Sequence, residues 1–372
     1  MTKNITIILG DGIGPEVTRQ SINVLNAIAK RFKHNFQYNY GLMGADAIDK
    51  TGNPLPDETL RLCLNSDAIL FGAIGHPKYD NDPTAKVRPE QGLLRLRKEL
   101  GLFANIRPVA THPALYHLSP LKTERLPGVD FIIFRELTGG IYFGEKKLSE
   151  DKTQASDNCV YTKSEIERVA HLAFQQAQKR RNHLTLVDKA NVLETSRLWR
   201  RVVQEMASQY TSVEVDYMFV DNAAMQIIIN PKQFDVVLTE NMFGDIISDE
   251  ASVLAGSLGL LPSASVGNSL ALFEPIHGSY PQAAGKDIAN PVGSVLSAAM
   301  MLDYFELHEE ATLVREAVEW TIENGFVTKD IDATNFYFTT TIGEMLSDYI
   351  SSTSHHEQVN RGHVQLRKST II

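Results

Sequence analysis

Two aspartates, Asp245 and Asp249, stand four residues apart in the segment 243–249, FGDIISD. On a helix this spacing places both carboxylates on one face, where like charges are mildly destabilising. Mg²⁺ or Mn²⁺ would offset the repulsion, because such ions prefer carboxylate oxygens. A solvated acidic face has the same spacing, but the helix closely follows the apolar run Phe234–Leu238, where ligand sites of α/β proteins lie. Asp221, at the end of another apolar run, is a third candidate ligand.

Three arginines and two further side chains could act on an anionic substrate. Arg97, Arg107 and Arg135 could each bind a carboxylate bidentately, although each alone would also fit a surface ion pair. Lys189 follows a predicted strand and could act as a general base near a metal ion. Tyr142 stands among glycines and is either a proton donor or a packing residue.

The glycine-rich sequence GDGIG at 10–14 stands between a predicted strand and a predicted helix. The dinucleotide-binding fingerprint is G-x-G-x-x-G, but Pro15 occupies its third glycine position. The acidic residue expected about 20 residues later to hold a ribose is also absent, because residues 30–33 read KRFK. We interpret 10–14 as a tight strand-to-helix turn and not as an ordinary Rossmann site.

Strands alternate with helices along the chain, which predicts an α/β fold with a largely parallel sheet. Short apolar runs predict strands at Asn4–Leu9, Ala68–Phe71, Phe131–Phe134, Leu184–Val187 and Val236–Leu238. Periodic apolar positions predict helices from about Pro15, at Lys163–Arg181 behind a Thr162–Glu165 capping box, and at Val192–Ala207. A chain of 372 residues exceeds the usual size of one core, so two domains are expected.

Bulk composition narrows the function classes. A net charge of −9 argues against a nucleic-acid partner. Two distant cysteines exclude a disulfide framework and favour a reducing compartment. The N-terminus lacks a signal-peptide pattern, and no apolar segment reaches the ~20 residues of a membrane span. We expect a cytoplasmic protein without a membrane partner.

Taken together, these segments resemble the β-decarboxylating dehydrogenases, the family of isopropylmalate and isocitrate dehydrogenases. The resemblance runs from Gly10 to about Asp348 and rests on long ordered blocks: GDGIGPEV at 10–17, RPEQGLLRLRK at 88–98, LFANIRP at 102–108, RELTGGIYFGE at 135–145, VDKANVLE at 187–194, NMFGDIISD at 241–249 and residues 273–290. It implies a two-domain fold with a parallel or mixed sheet flanked by helices. The first domain is expected at 1–103 plus 256–350 and the second at 104–255, with a polar, extended or mobile tail at 351–372.

The resemblance also implies roles for the candidate residues. Arg97, Arg107 and Arg135 would bind the malate carboxylates, and Asp221, Asp245 and Asp249 would bind Mg²⁺ or Mn²⁺, with Asp221 also touching substrate. Lys189 would help to deprotonate the substrate hydroxyl, and Tyr142 would protonate the enol after CO₂ leaves. In this family the equivalents of Lys189 and Asp221 come from a second subunit, which implies a homodimer.

The cofactor implied by the resemblance is NAD, bound by a loop that replaces the Rossmann fingerprint. The residues expected to contact it are Ile13, His76, Glu90, Glu274, His277, Gly278, Ser279, Gln282, Ala284, Gly285 and Asn290. Gln282 stands where the family usually has an Asp that binds the adenosine ribose. That Asp would repel a 2′-phosphate, whereas Gln would not. NAD is still favoured over NADP, because the Lys-Tyr pair of NADP-using relatives is absent as well.

Substrate choice depends on Glu90, Leu93 and Leu94. In isocitrate enzymes of the family these positions are polar and bind a third carboxylate. The leucines instead suit an isopropyl group, and Glu90 would repel an extra carboxylate. We expect oxidative decarboxylation of isopropylmalate in leucine biosynthesis. Malate, tartrate or isocitrate dehydrogenases, and an inactive metal-binding regulatory relative, are the alternatives.

Overall fold

A computed structural model describes residues 1–82 and 84–352. Contacts divide the chain into two compact units. Unit 1 comprises Met1–Leu100, Ser257–Ala264 and the described chain from Ser269 onward, and unit 2 comprises Gly101–Gly256 and Ser265–Asn268. The predicted first domain ended at residue 103 and resumed at 256, whereas unit 1 ends at Leu100 and resumes at Ser257.

The strands are, in chain order, β1 (Thr2–Gly10), β2 (Asn35–Gly41), β3 (Ala68–Ala73), β4 (Ala104–Ala110), β5 (Asp130–Glu136), β6 (Lys146–Leu148), β7 (Ala155–Asp157), β8 (His183–Asp188), β9 (Glu214–Phe219), β10 (Val236–Thr239), β11 (Pro262–Val266) and β12 (Ala271–Pro275).

The helices are α1 (Gly14–Phe32), α2 (Ala45–Thr51), α3 (Asp57–Leu64), α4 (Pro77–Asp80), α5 (Pro89–Glu99), α6 (Lys163–Lys179), α7 (Glu194–Ala207), α8 (Val220–Ile229), α9 (Asn241–Ser252), α10 (Val292–Tyr304), α11 (His308–Glu323) and α12 (Thr339–Ser351).

Unit 1 contains parallel strands in the order β2, β1, β3, β12. The middle of β1 is fully buried, which explains its unbroken run of apolar, β-branched residues. Helix α1 buries Val17, Val24, Leu25 and Ile28, as its 3.6-residue periodicity predicted. Pro15 lies in the first turn of the helix, where its missing N–H needs no partner.

Unit 2 contains the strand order β4, β5, β10, β8, β9. All neighbours are parallel except β4 and β5, which are antiparallel, so the sheet is mixed. Parallel strands bring the carboxyl ends of β5, β8 and β10 to one edge, and Arg135, Lys189 and helix α9 lie at or just after those ends. This edge is where the sequence predicted chemistry.

The predicted α/β class and mixed sheet are confirmed. The Thr162–Glu165 capping box is present in front of α6, but this helix ends at Lys179 instead of Arg181. Helix α7 begins at Glu194 instead of Val192, because Val192 and Leu193 donate backbone hydrogen bonds to Lys189 in a turn. The predicted tail began at 351, but Ser351 is still part of α12, and residues 353–372 lie outside the described residues.

Among the described residues there is neither a membrane-spanning helix nor a disulfide bond. None of their helices is both long and apolar enough to span a membrane. Cys63 and Cys159 are both free thiols.

Candidate active site

Helix α9 carries the two aspartates with which the site begins. Asp245 and Asp249 are one turn apart, with side chains 34 % and 66 % exposed, while Phe243 and Ile247 anchor the helix in the core. Gly244 allows close packing, because a Cβ there would lie 2.6 Å from Cγ of Arg135. The predicted helical spacing is therefore confirmed, and one face of α9 meets the arginine of β5.

Arg135 is almost fully buried and is held by α9. Its Nη1 donates to Oδ1 of Asp245, and its Nε and Nη2 donate to Oδ1 of Asn241 at 3.0 and 2.8 Å. Asn241 also donates from Nδ2 to the Gly139 carbonyl at 3.1 Å. Asn241 therefore fixes the guanidinium relative to the loop that precedes Tyr142.

Arg107 on β4 links both aspartates. Its Nη1 donates to Oδ1 of Asp249 at 2.8 Å and to Oγ of Ser248 at 2.6 Å. Its Nη2 lies 3.6 Å from Oδ1 of Asp245, and Asn105 accepts from its Nε at 2.8 Å. Because one guanidinium reaches both carboxylates, the carboxylates converge as a divalent cation would require.

Tyr142 completes this group. It lies in the short 3-10 helix Gly140–Tyr142, and its hydroxyl donates to Oδ2 of Asp245 at 2.9 Å. The guanidinium of Arg135 lies 5.7 Å from the centre of the Tyr142 ring. Burial, and then the hydrogen bond to Asp245, raises the pKa of Tyr142, so the phenol keeps the proton that a general acid must donate.

Lys189 and Asp221 form a separate pair. Nζ of Lys189, just after β8, lies 2.8 Å from Oδ1 of Asp221, the second residue of α8. The hydrogen bond from Lys189 holds the pKa of Asp221 below its usual value. Within the described part of one chain, no hydrogen bond or ion pair joins this pair to Asp245, Asp249 or Tyr142.

Helix α5 of unit 1 carries the remaining predicted substrate residues. Glu90, Leu93, Leu94 and Arg97 recur at helical spacing; Leu93 is buried, Leu94 is half-buried and Glu90 is exposed. Arg97 forms an ion pair of 2.9 Å with Glu274, and its Nε is buried without a hydrogen-bond partner among the described residues. The carboxylate of Glu274, which is expected at the cofactor, is thus already paired with an arginine that is predicted to bind substrate.

A pocket in unit 1 is lined by four of the predicted cofactor residues, Ile13, His277, Gly278 and Asn290. Burial lowers the pKa of His277, which favours the neutral ring, and in the part of the chain that the structure describes its buried Nε2 has no hydrogen-bond partner. An unpaired ring nitrogen in a part-apolar pocket fits a nucleoside ligand that can complete the hydrogen bond.

The other predicted cofactor residues lie outside the lining of this pocket. Ser279 is nearly buried, and its carbonyl accepts from the Ile13 N–H at 2.8 Å. Gly285 donates its N–H to Glu16, while Gln282 and Ala284 are exposed. His76 caps α4, where its Nδ1 accepts from the Lys78 N–H at 3.2 Å.

Sequence reasoning missed several residues that the structure places at these groups. Asn241 and Ser248 accept hydrogen bonds from the arginines that are predicted to bind substrate, and Asp330 lines the pocket and accepts a hydrogen bond from Asn290. An Asn opening a helix directly after a strand is the one available signal for Asn241. No sequence signal of this kind points to Asp330, because its hydrogen-bond partner Asn290 is 40 residues away in the sequence.

The chain is similar to known proteins over nearly its whole length. Residues 4–346 match the family model described as isocitrate/isopropylmalate dehydrogenase. A protein of Bacteroides fragilis named 3-isopropylmalate dehydrogenase is 55 % identical over 94 % of this chain and 99 % of its own length. One from Bacillus subtilis with the same name is 53 % identical over 89 % of this chain and 92 % of its own. The crystal structure of isocitrate dehydrogenase from Methylococcus capsulatus superposes with a TM-score of 0.85 at 33 % identity, covering 94 % of this chain and all of that one.

Proposed function

Because the chain belongs to the isocitrate/isopropylmalate dehydrogenase family, we propose that it converts (2R,3S)-3-isopropylmalate and NAD⁺ into 4-methyl-2-oxopentanoate, CO₂ and NADH in leucine biosynthesis. Membership of the family implies a small-molecule substrate and, in general, dependence on a nucleotide and a metal ion. The observation that carries the proposal is the linked group of Arg107, Arg135 and Tyr142 around Asp245 and Asp249. It combines carboxylate binding, cation binding and proton donation.

The substrate is bound through its two carboxylates and its isopropyl group. Arg97, Arg107 and Arg135 bind the carboxylates, since planar guanidinium groups match their geometry. Leu93 and Leu94 receive the isopropyl group. Repulsion by Glu90 disfavours isocitrate, whose third carboxylate would take the same place.

Proton movement is assigned to two side chains. Lys189 accepts the proton of the C2 hydroxyl as the C2 hydride leaves for the nicotinamide. The new ketone lies β to the carboxylate on C3, so the bond to CO₂ breaks and its electron pair forms the product enolate. Tyr142 then donates its proton to C3. The chemistry supplied by the two bound groups is hydride acceptance by NAD⁺ and polarisation of the substrate oxygens by the divalent cation.

Asp245, Asp249 and Asp221 are proposed to hold Mg²⁺ or Mn²⁺. The fit rests on the donor set, which consists of carboxylate oxygens alone, and on the single guanidinium that Asp245 and Asp249 share. Arg107 and Arg135 release these carboxylates when the substrate carboxylates become their partners.

NAD⁺ is proposed to place its adenosine in the pocket lined by Ile13, His277, Gly278 and Asn290. Glu90, His76 and Glu274 are assigned to its nicotinamide half, and Ser279, Gln282, Ala284 and Gly285 to the loop around its phosphates and ribose. Gln282 is exposed and uncharged, so it does not repel a 2′-phosphate. NAD⁺ is preferred because no cationic residue replaces the usual Asp. Free cysteines in the chain support a cytoplasmic location.

A homodimer would bring Lys189 and Asp221 to the site of a second copy. Helices α8 and α9 pack together through Ala223, Ile227, Ile247 and Ala251. Their outer surface exposes four large apolar side chains, Met225, Ile228, Ile229 and Ile246. An apolar surface of this kind is typical of an interface.

The proposed function is tested by NADH or NADPH formation with Mg²⁺, scanned over isopropylmalate, isocitrate, malate and tartrate with each nucleotide. We expect the highest kcat/KM for isopropylmalate with NAD⁺. Faster turnover of isocitrate or malate would overturn the substrate assignment. Absence of turnover on all four would favour an inactive relative.

The shared site is tested by mixing two inactive variants, Lys189→Ala and Asp245→Asn, under conditions that exchange subunits. If Lys189 serves the site of the other chain, each mixed dimer contains one intact site, and about a quarter of the wild-type activity should return. If both residues act within one chain, no mixed dimer has an intact site, and recovered activity would stay at background.

A further inference from the structure

We propose that Asp11, in the glycine-rich turn, is a positioning residue for the cofactor site. Its carboxylate fixes the turn that presents Gly75 and His76, and thereby sets the affinity for the nicotinamide nucleotide without contacting it. This inference rests on the proposed function, which supplies the cofactor. No part of the chemistry assigned above uses Asp11.

Asp11 is 5 % exposed, and its carboxylate accepts three backbone hydrogen bonds, two from the first residues of helix α2 and one from the loop after β3. Oδ2 accepts from the N–H groups of Ala45 at 3.0 Å and Gly75 at 2.9 Å, and Oδ1 accepts from that of Asp46 at 3.2 Å. No Lys or Arg of the described residues forms an ion pair with it. Its role is therefore to satisfy backbone donors, which a buried loop must otherwise leave unpaired.

The backbone around Asp11 is fastened to the same surroundings. Asp11 donates its own N–H to the Ala73 carbonyl at 2.9 Å. Gly12 has φ +58°, and a Cβ there would lie 2.0 Å from the Ser279 carbonyl oxygen, so no other residue fits. The turn that failed as a Rossmann fingerprint is thus a junction joining β1 to the loops after β3 and β12.

These loops carry residues assigned to the cofactor. A Cβ on Gly75 would lie 3.1 Å from Oε1 of Glu90 and 3.7 Å from Oγ of Ser279, so Gly75 sits between the two. His76 follows directly. Displacing Gly75 would therefore disturb three cofactor residues at once, although Asp11 itself lies behind them.

An amide cannot replace this carboxylate. Asn would offer one acceptor oxygen and two N–H groups to three N–H donors, which leaves donors unpaired and sets N–H against N–H. Burial raises the pKa of Asp11, while the three N–H donors favour its ionised form and act in the opposite direction.

The test compares Asp11→Asn with Asp67→Asn. Asp67 also accepts a backbone N–H, from Asn4 at 2.7 Å, but at the opposite end of β1. Hydrogen exchange is followed at the amides of Ala45, Asp46 and Gly75 in the ligand-free chain, NADH affinity by fluorescence, and KM for NAD⁺ against kcat. For Asp11→Asn we expect at least about tenfold faster exchange at these amides, about tenfold weaker NADH binding and a matching rise in KM, with kcat within about twofold. Asp67→Asn should leave all of these unchanged.

Wild-type exchange and NADH affinity in a folded Asp11→Asn would overturn the inference, and so would faster exchange with unchanged affinity. If Asp11→Asn does not fold, Asp11→Glu, which keeps the charge but displaces the oxygens, must show the same effects in weaker form or the inference fails. A wild-type chain that binds no NADH would overturn the proposed function and the cofactor role of Asp11 together. The exchange data would still report whether Asp11 holds the loops.

Discussion

The carboxylate of Asp11 in unit 1 and those of Asp245 and Asp249 in unit 2 are held in opposite ways. Asp11 is buried, and every hydrogen bond to its carboxylate within the described residues comes from a backbone N–H group. Asp245 and Asp249 are partly exposed, and their partners are the guanidinium groups of Arg107 and Arg135 and, for Asp245, the Tyr142 hydroxyl. Backbone partners are fixed by the fold, whereas side-chain partners can rotate away.

The difference separates structural carboxylates from those available to a ligand. To free Asp11, the start of helix α2 and the loop after β3 would have to move together. To free Asp245 or Asp249, an arginine needs only a different anion, and a dianionic substrate supplies one. The comparison predicts which aspartates bind metal and which only maintain the site.

The largest effect is expected from Asp245→Asn, which tests whether the partly exposed aspartates of α9 bind the metal ion. Loss of one metal ligand should lower kcat/KM by about a thousandfold, because metal catalysis contributes several kcal/mol to the transition state. Steady-state kinetics with saturating Mg²⁺ measures this. The control is Glu250→Gln on the same helix, because among the described residues Glu250 has no hydrogen bond or ion pair with Arg107, Arg135 or Tyr142, and this variant should retain activity near wild type.

The second largest effect is expected from Tyr142→Phe, because this change removes the proposed proton donor and one hydrogen-bond partner of Asp245. We expect kcat to fall by about a hundredfold, with KM for substrate changed by less than about threefold. Tyr210→Phe is the matched control, because the Tyr210 hydroxyl also makes a side-chain hydrogen bond, with His171 at 2.7 Å, away from these groups. An unchanged kcat in Tyr142→Phe would remove Tyr142 from the proton transfer.

Glu240 is a third kind of carboxyl group, because it is buried but, in the part of the chain that the structure describes, lacks both the backbone N–H partners of Asp11 and the arginine partners of Asp245. Its Oε2 has no hydrogen-bond partner among the described residues, and it precedes α9 with 4 % exposure. Burial, and then repulsion by Asp188 and Glu136, raises the pKa of Glu240 to about 7 from a usual value of 4.5. Between pH 4.5 and pH 7 the folded protein therefore keeps a proton on Glu240 that the unfolded chain has lost, and the stability of the fold falls as the pH rises through this range.

Glu240→Gln should remove this loss of folding stability at high pH. At pH 8 the variant is expected to be more stable than wild type by about 1–3 kcal/mol, since each pKa unit is worth about 1.4 kcal/mol. The advantage should shrink as the pH falls toward 4.5 and disappear below it, where Glu240 is protonated in both the folded and the unfolded state. Urea unfolding at pH 5 and pH 8 measures it, and an equal difference between variant and wild type at both pH values would contradict the assignment.

Sequence patterns predicted elements whose local signal agrees with their burial. The apolar run of β1, the periodicity of α1 and the capping box of α6 are local, and each was found. Strand β4 was not predicted, because Asn105, Arg107 and Pro108 interrupt its apolar pattern. Its pairing with β5 is a tertiary contact, which the local pattern does not show. The spacing of Asp245 and Asp249 placed both on one helix face, but their pairing with arginines depends on strands more than 100 residues away.

The role of Asp11 could not be predicted for a related reason. Its partners are the backbone N–H groups of Ala45, Asp46 and Gly75, and a backbone donor leaves no mark in the sequence. The same glycine-rich turn invited a comparison with the Rossmann fingerprint, which Pro15 excluded. Reading residue types along the chain therefore finds side-chain chemistry more readily than it finds what holds the backbone.

The central claim is tested most directly by Mn²⁺ binding measured by electron paramagnetic resonance in the presence of isopropylmalate. Wild type, Asp11→Asn and Asp245→Asn are compared at equal protein concentration. We expect wild type and Asp11→Asn to bind Mn²⁺ with similar affinity and Asp245→Asn to lose the tight site. Tight binding retained by Asp245→Asn, or lost in a folded Asp11→Asn, would contradict the account.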